Sequence, residues 1–299
     1  MNKRYCPLIN FHFEWNVKEG FNDLVITDKV KIIPPKEIPD KSILSQFLSP
    51  LDYKLYQIHA HNWLVLDGYD DFNYIKEVVN LFQLSLWIIK PTNLLIGFIT
   101  NFKSDITQHP LEKLSQFRHI PKRISSQYTL DDIEILKSIF PIIIDLYKKN
   151  RFKNSIVFNY HGCITNSREV AYIQFSTTFE GLLTHKSELG TKKKLAWACA
   201  ILTENEVETR QKVFEDFRDI YKIRSEILHG ESFKDKFGKG EINLERLANC
   251  RDMLRKLWQV ILDSEEIIEK LSGSDSIRRD YFKKVANGWM PEEENGKKK

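Results

Sequence analysis

The sequence predicts an α+β protein in two parts. A smaller mixed strand-and-helix N-terminal domain covers residues 1–127, an all-α helical bundle covers 128–271, and a charged tail follows over 272–299. Three observations predict this. Early in the chain, apolar residues alternate with polar ones, the period of a half-buried strand. After about residue 128 they recur every three or four, the period of a helix buried along one face. Between the two lies a polar stretch, Asn101 to Gln127, with Pro110 and Pro121 and no period, which suits a boundary.

In "INFHFEWN", Ile9, Phe11, Phe13 and Trp15 alternate as in a strand, and "DLVITDKVKII" continues as strand until Pro34-Pro35. "YKLYQIHAHNWLVLDG" reads as a further strand closed by Asp67-Gly68. Ile75, Val78, Val79, Phe82, Leu86 and Ile89 then take the helical period, with Pro91 as the stop. In the second part Thr129 caps a helix carrying Ile133, Leu136, Phe140 and Ile143, which Pro141 should kink or split. Gly162 in "YHGCIT" marks a turn, with His161 and Cys163 as loop residues. "SREVAYIQFSTTFEGLLTH" puts Ala171, Phe175, Phe179 and Leu182 on one helix face. "KKKLAWACAIL" is apolar almost all round, as a buried helix is. Thr203 and Glu206 have capping-box spacing and open a long helix to His229, which Gly230 stops. Asn243 caps a last helix with a stripe from Leu247 to Leu271. The tail is charged, and its "EEENGKKK" end is expected to be disordered.

Composition narrows the function classes. The formal net charge of +4, with charged residues at 29%, permits a nucleic-acid partner without demanding one. The four cysteines, Cys6, Cys163, Cys199 and Cys250, are far apart and form no CxxC pair. They make neither a disulfide framework nor a zinc signature, and reduced thiols in a cytoplasmic setting are expected. The N-terminus lacks the apolar core of a signal peptide, and no apolar run approaches the roughly 20 residues that span a bilayer.

One stretch breaks its own pattern. Phe214, Phe217, Ile220 and Tyr221 form an apolar helix face that leads through Arg224 to Leu228. A guanidinium in an apolar stripe must find an anion. Two anions suit it: a carboxylate of the same chain, such as Glu180 in "FEGLL", or a ligand phosphate, which matches arginine's planar donor fork. Five residues on, His229 sits in the last turn, where the macrodipole favours an imidazolium, and histidine suits general acid–base work. It can equally just cap the helix. Five steps of about 100° separate the two side chains by about 140°, so they reach one phosphate only through fraying or through two facing copies. Metal-free RNA cleavage wants two proton-transfer groups, and a two-fold dimer would supply two histidines and two arginines to one cleft.

"FEGLL", the short helix "KLAWACAIL" and the long helix ending "YKIRSEILHG" together resemble the HEPN superfamily, most closely its ApeA-like branch, over about Tyr128 to Leu271. The resemblance implies a small dimerising helical bundle and a metal-independent endoribonuclease with an Arg-x(4–6)-His motif. Arg224 and His229 would be the catalytic pair. Cleavage would proceed by 2′-OH attack on phosphorus, leaving a 2′,3′-cyclic phosphate and a 5′-OH. Ser225 follows the arginine where members commonly carry Asn, Asp or His. Glu231 stands where some members carry a tyrosine used for control by nucleotidylation, so that control is not carried over. The setting it implies is anti-phage defence or a toxin-like role, with RNA as substrate, a homodimer, and a regulatory protein or phage-derived trigger as possible partners. A non-catalytic RNA- or protein-binding scaffold, or a nucleotide-binding regulator, is the alternative.

Weaker candidates surround this pair. Lys192, Lys193 and Lys194 could hold RNA backbone or merely solvate a helix start. Arg278 and Arg279, interleaved with Tyr281 and Phe282, suit nucleic acid but also a solvated amphipathic helix. His59 and His61 would share a strand face, with His12 and Glu14 nearby, but fall short of a ligand set. No cofactor and no metal are expected.

Overall fold

The structure is a computed structural model that describes residues 3–13, 23–34, 41–46, 48–92, 94–101, 111–113, 127–184, 191–229 and 244–287. The protein is mixed α+β. By its contacts it falls into two compact units, Met1–Asp145 and Leu146–Lys299.

The first unit is built on an antiparallel sheet. Its strands are β1 (Arg4–Ile9), β3 (Leu24–Thr27), β4 (Val30–Ile33), β5 (Ala60–Leu66), β6 (Leu95–Ile96), β7 (Phe98–Thr100) and β8 (Leu111–Lys113), and the order is β3-β4-β5-β1-β7-β8 with β6 also on β1. A two-residue strand, β2 (His12–Phe13), pairs in parallel with β9 (Gln127–Tyr128). The expected strand over "INFHFEWN" is interrupted, because Asn10 takes a left-handed conformation, φ 61°, and ends β1. Pro7 is tolerated inside β1 because it falls where the pairing passes from β7, opposite Tyr5, to β6, opposite Leu8. "DLVITDKVKII" is a hairpin rather than one strand, with Asp28-Lys29 as its turn. β5 is buried on both faces from Asn62 to Leu66, so the sheet is covered on both sides.

The segment expected to be strand from Tyr53 is instead helix α1 (Pro50–His59), and β5 begins only at Ala60. Ser49 caps α1 by accepting from the Asp52 N–H at 3.1 Å, and Pro50 supplies a preset φ at its first position. Tyr56 of α1, Trp63 of β5 and Phe98 of β7 pack edge to face with centroids 5.5–6.2 Å apart, in a core that also holds Ile9, Ile33, Leu44 and Leu48. Helix α2 (Phe72–Ile89) buries the predicted face except Ile89, which is half-buried, and more besides. Helix α3 (Leu130–Tyr147) meets it through the Phe82–Phe140 pair, 5.7 Å apart. Most of α3, expected at the head of the bundle, therefore belongs to the first unit. It runs unbroken through Pro141, which lies on its exposed side.

The second unit is helical throughout its described residues. Helices α4 (Asn150–Ile164), α5 (Arg168–Leu183), α6 (Thr191–Thr203), α7 (Val207–Leu228), α8 (Leu244–Leu262), α9 (Glu265–Ser272) and α10 (Asp275–Asn287) follow one another. Helix α5 packs against α4, α6, α7 and α8. The turn expected at Gly162 is the last turn of α4. Thr203 does not box with Glu206; it ends α6 by donating its hydroxyl to the Cys199 carbonyl at 2.9 Å. The stripe from Leu247 to Leu271 spans two helices, because Ser264 caps a new one by accepting from the Ile267 N–H at 3.3 Å. The charged segment after residue 272 is helical as α10, and its 288–299 end lies outside the described residues. No helix among the described residues is long and apolar enough to cross a membrane.

Candidate functional site

The site is assembled from the C-terminal halves of α5 and α7. Phe179 of α5 meets Phe217 of α7 edge to face at 5.0 Å, and Phe217 stacks on Tyr221 at 5.2 Å. This aromatic seam sets the rotation of both helices. One step beyond Phe179 stands Glu180, and one turn beyond Tyr221 stands Arg224. The guanidinium Nη2 donates to Glu180 Oε2 at 3.1 Å, and its Cζ lies 5.7 Å from the Tyr221 ring centroid. The arginine in the apolar stripe thus has a carboxylate of its own chain as its anion.

The pairing is incomplete. About 24% of the Arg224 side chain and 30% of that of Glu180 remain exposed. The Arg224 Nε is buried with no hydrogen-bond partner, and the Tyr221 hydroxyl is buried beside the Glu180 carboxylate. Burial pushes the Tyr221 pKa far up; the nearby Glu180 carboxylate raises it further, while Arg224 pulls against both. Tyr221 therefore stays a neutral phenol at physiological pH. Nothing in the sequence marks it out, because a tyrosine in an apolar stripe looks like plain core.

His229 is placed differently. It is the exposed C-cap of α7, with φ −85° and ψ 1°, and its backbone N–H donates to the Ser225 carbonyl at 3.0 Å. The helix remains regular up to it, so the 140° separation from Arg224 stands within one chain. Ser225 is half-buried between them, and Glu231 and Gly230 lie outside the described residues.

Among the basic candidates, Lys192, Lys193 and Lys194 occupy the exposed first turn of α6. Arg279 is exposed beside Asp280, at 3.7 Å. Arg278, expected as a contact to RNA backbone, is corrected by its surroundings. It is 1% exposed and donates to the carbonyls of Leu271 (2.6 Å), Gly181 (3.2 Å), Leu182 (2.8 Å) and Thr184 (2.8 Å). Its guanidinium caps the carboxyl ends of α5 and α9, where helix dipoles favour a cation. Burial, then the neighbouring Arg151, pulls its pKa down to about 9, which leaves it charged at neutral pH. The site depends on it indirectly, since the carbonyls it holds immediately follow Glu180.

The histidine group of the first unit does not form as expected. His59 ends α1 while His61 lies on β5, so they share no strand face; His61 instead lies 6.0 Å from His12, ring to ring. Glu14 lies outside the described residues. No cluster of three or more metal-ligating side chains occurs among the described residues. All four cysteines are buried and reduced, and burial raises every one of their thiol pKa values, to about 12 for Cys163. None offers a thiolate.

The chain matches no protein-family model, no curated protein and no solved structure.

Proposed function

We propose that the protein is a metal-independent endoribonuclease of the HEPN type, acting as a homodimer with a composite site, in anti-phage defence or a toxin-like role. The observation that carries this reading is that α7 bears both an exposed C-cap histidine, His229, and a guanidinium, Arg224, that is held by Glu180 yet a quarter open to solvent. Glu180 orients Arg224 without enclosing it. A phosphodiester seated on the open side would meet the fork that Glu180 leaves unused. One imidazole then takes the proton of the 2′-OH as its oxygen attacks phosphorus. A second imidazole, from the partner chain, gives a proton to the departing 5′-oxygen. Arg224 neutralises the charge that builds on the phosphoryl oxygens. The setting in defence rests on family analogy alone.

A second reading is favoured by the same ion pair. If Glu180 neutralises Arg224 for good, the helices form a non-catalytic module that binds RNA or protein. Purified protein with RNA in excess EDTA separates the two. The nuclease reading expects wild type to cut RNA and leave single-stranded DNA intact, since DNA lacks the 2′-OH. Arg224→Ala and His229→Ala should each slow cleavage by at least about 100-fold. A toxicity assay in cells accompanies it, because a first unit that senses a trigger would hold the purified protein silent. Wild type that neither cuts nor harms cells, or mutants that cut as well as wild type, would sink the catalytic assignment.

A further inference from the structure

Helix α7 has a second face. Arg218, Lys222, Ser225 and His229 follow one another at intervals of four, three and four residues. At about 100° per residue, His229 lies within about 20° of both Arg218 and Lys222, and about 10 Å along the axis from Lys222. Arg224 lies well round the helix from this stripe. Beside the stripe, α6 packs on α7, and the two enclose a groove of about 530 Å³ lined by Lys192, Glu215, Arg218, Asp219 and Lys222. Lys192 stands in the first turn of α6, where unpaired backbone N–H groups and the dipole add to the field of the three cations.

We propose that this groove is the track that holds single-stranded RNA and feeds it to His229, an inference that rests on the ribonuclease reading. Lys192, Arg218 and Lys222 take successive phosphates upstream or downstream of the bond to be cut. The two carboxylates decide which polyanion fits. Three cations against two carboxylates make a poor sink for a bare phosphate array. Glu215 is partly engaged on its own helix, accepting from Gln211 Nε2 at 2.6 Å. Asp219 is left to face amino groups on base edges, and those of adenine and cytosine are presented by an unpaired strand but sequestered in the deep major groove of an A-form duplex. The groove therefore selects single strands over duplex and base-bearing strands over simple polyanions.

The test is fluorescence anisotropy of a short labelled single-stranded RNA on the His229→Ala protein, which binds without cutting. Adding Arg218→Ala and Lys222→Ala, both at exposed positions, should weaken binding on the order of tenfold, with the fold of the variant checked by circular dichroism. The slope of log affinity against log salt should fall by about 1.4, at about 0.7 for each phosphate that no longer meets a cation. Lys283→Ala with Lys284→Ala, on exposed positions of α10, should change neither. Unaltered affinity and slope in the groove variant, equal loss in the α10 variant, or no RNA binding by the His229→Ala parent would each overturn the track. Groove-dependent binding by a protein whose wild type neither cuts RNA nor harms cells supports the groove as an RNA-binding track and sinks the nuclease reading alone. Cleavage with groove-independent binding does the reverse.

Discussion

At the scale of single residues, the close approaches in the bundle are set by what is missing as much as by what is present. Gly162 lies inside α4, where alanine would ordinarily be better by about 1 kcal/mol. A Cβ there would stand 2.6 Å from Phe175 Cε1 and 2.8 Å from its Cδ1, and that ring is only 1% exposed. The ring is packed on all sides and cannot swing away cheaply. Overpacking of this kind costs about 1–3 kcal/mol. Gly162→Ala should therefore lower the urea midpoint, with a net loss of stability of up to about 2 kcal/mol. A raised midpoint would mean that the ring yields and that α4 and α5 are less tightly joined than their geometry says. The same glycine explains why its neighbourhood reads as a turn in the sequence: the side chain that needs its absence is thirteen positions away.

At the scale of elements, local signals are legible in the sequence and cross-chain ones are not. The stripes of α2, α5 and α6 are plain from periodicity, because each buries one face or all faces against neighbours. Helix α1 reads wrongly as strand although Ser49, Pro50 and Asp52 spell a helix start, because Tyr56, Ile58 and Ala60 also alternate. Arg278 is not legible at all, since three of its four carbonyl partners are 94–97 residues away, and backbone acceptors leave no mark in a sequence. In the site, Arg224 and its carboxylate Glu180 are both readable from the misplaced charge; Tyr221 and the second face of α7 are not. The start of α3 offers an element-scale test. Thr129 and Asp132 cap each other, Thr129 N–H to Asp132 Oδ2 at 2.8 Å and Asp132 N–H to Thr129 Oγ1 at 3.2 Å, and Lys90, the C-cap of α2, pairs with the same carboxylate. Burial alone would raise the Asp132 pKa, but Lys90 and Thr129 outweigh it and hold the carboxyl below its usual range. A depressed folded pKa means stability that is present above the carboxylate range and lost as pH falls through it. Asp132→Asn should thus cost about 1–2 kcal/mol at neutral pH. The gap between variant and wild type should close in acid. A gap that persists in acid would show that the pair contributes packing, not charge.

At the scale of the whole molecule, the question is where one active centre ends and the next begins. Within one chain α7 points Arg224 toward α5 and leaves His229 about 140° round the helix, on the face shared with Lys222. A composite centre resolves that divergence, because a two-fold axis can bring one chain's histidine to the other chain's arginine. Arg224→Ala and His229→Ala proteins, mixed and allowed to exchange chains, test this directly. The first keeps its histidines and loses its arginines; the second does the opposite. A mixed dimer with a shared cleft holds one of each. Cleavage by the mixture should therefore exceed that of either variant alone and stay below wild type, where both proton-transfer groups are present. It should also grow with the time allowed for exchange. If each chain cuts on its own, every chain in the mixture still lacks one of the two groups. The mixture then cuts at no more than the average of its components, and the two-chain site is ruled out while the roles of Arg224 and His229 survive.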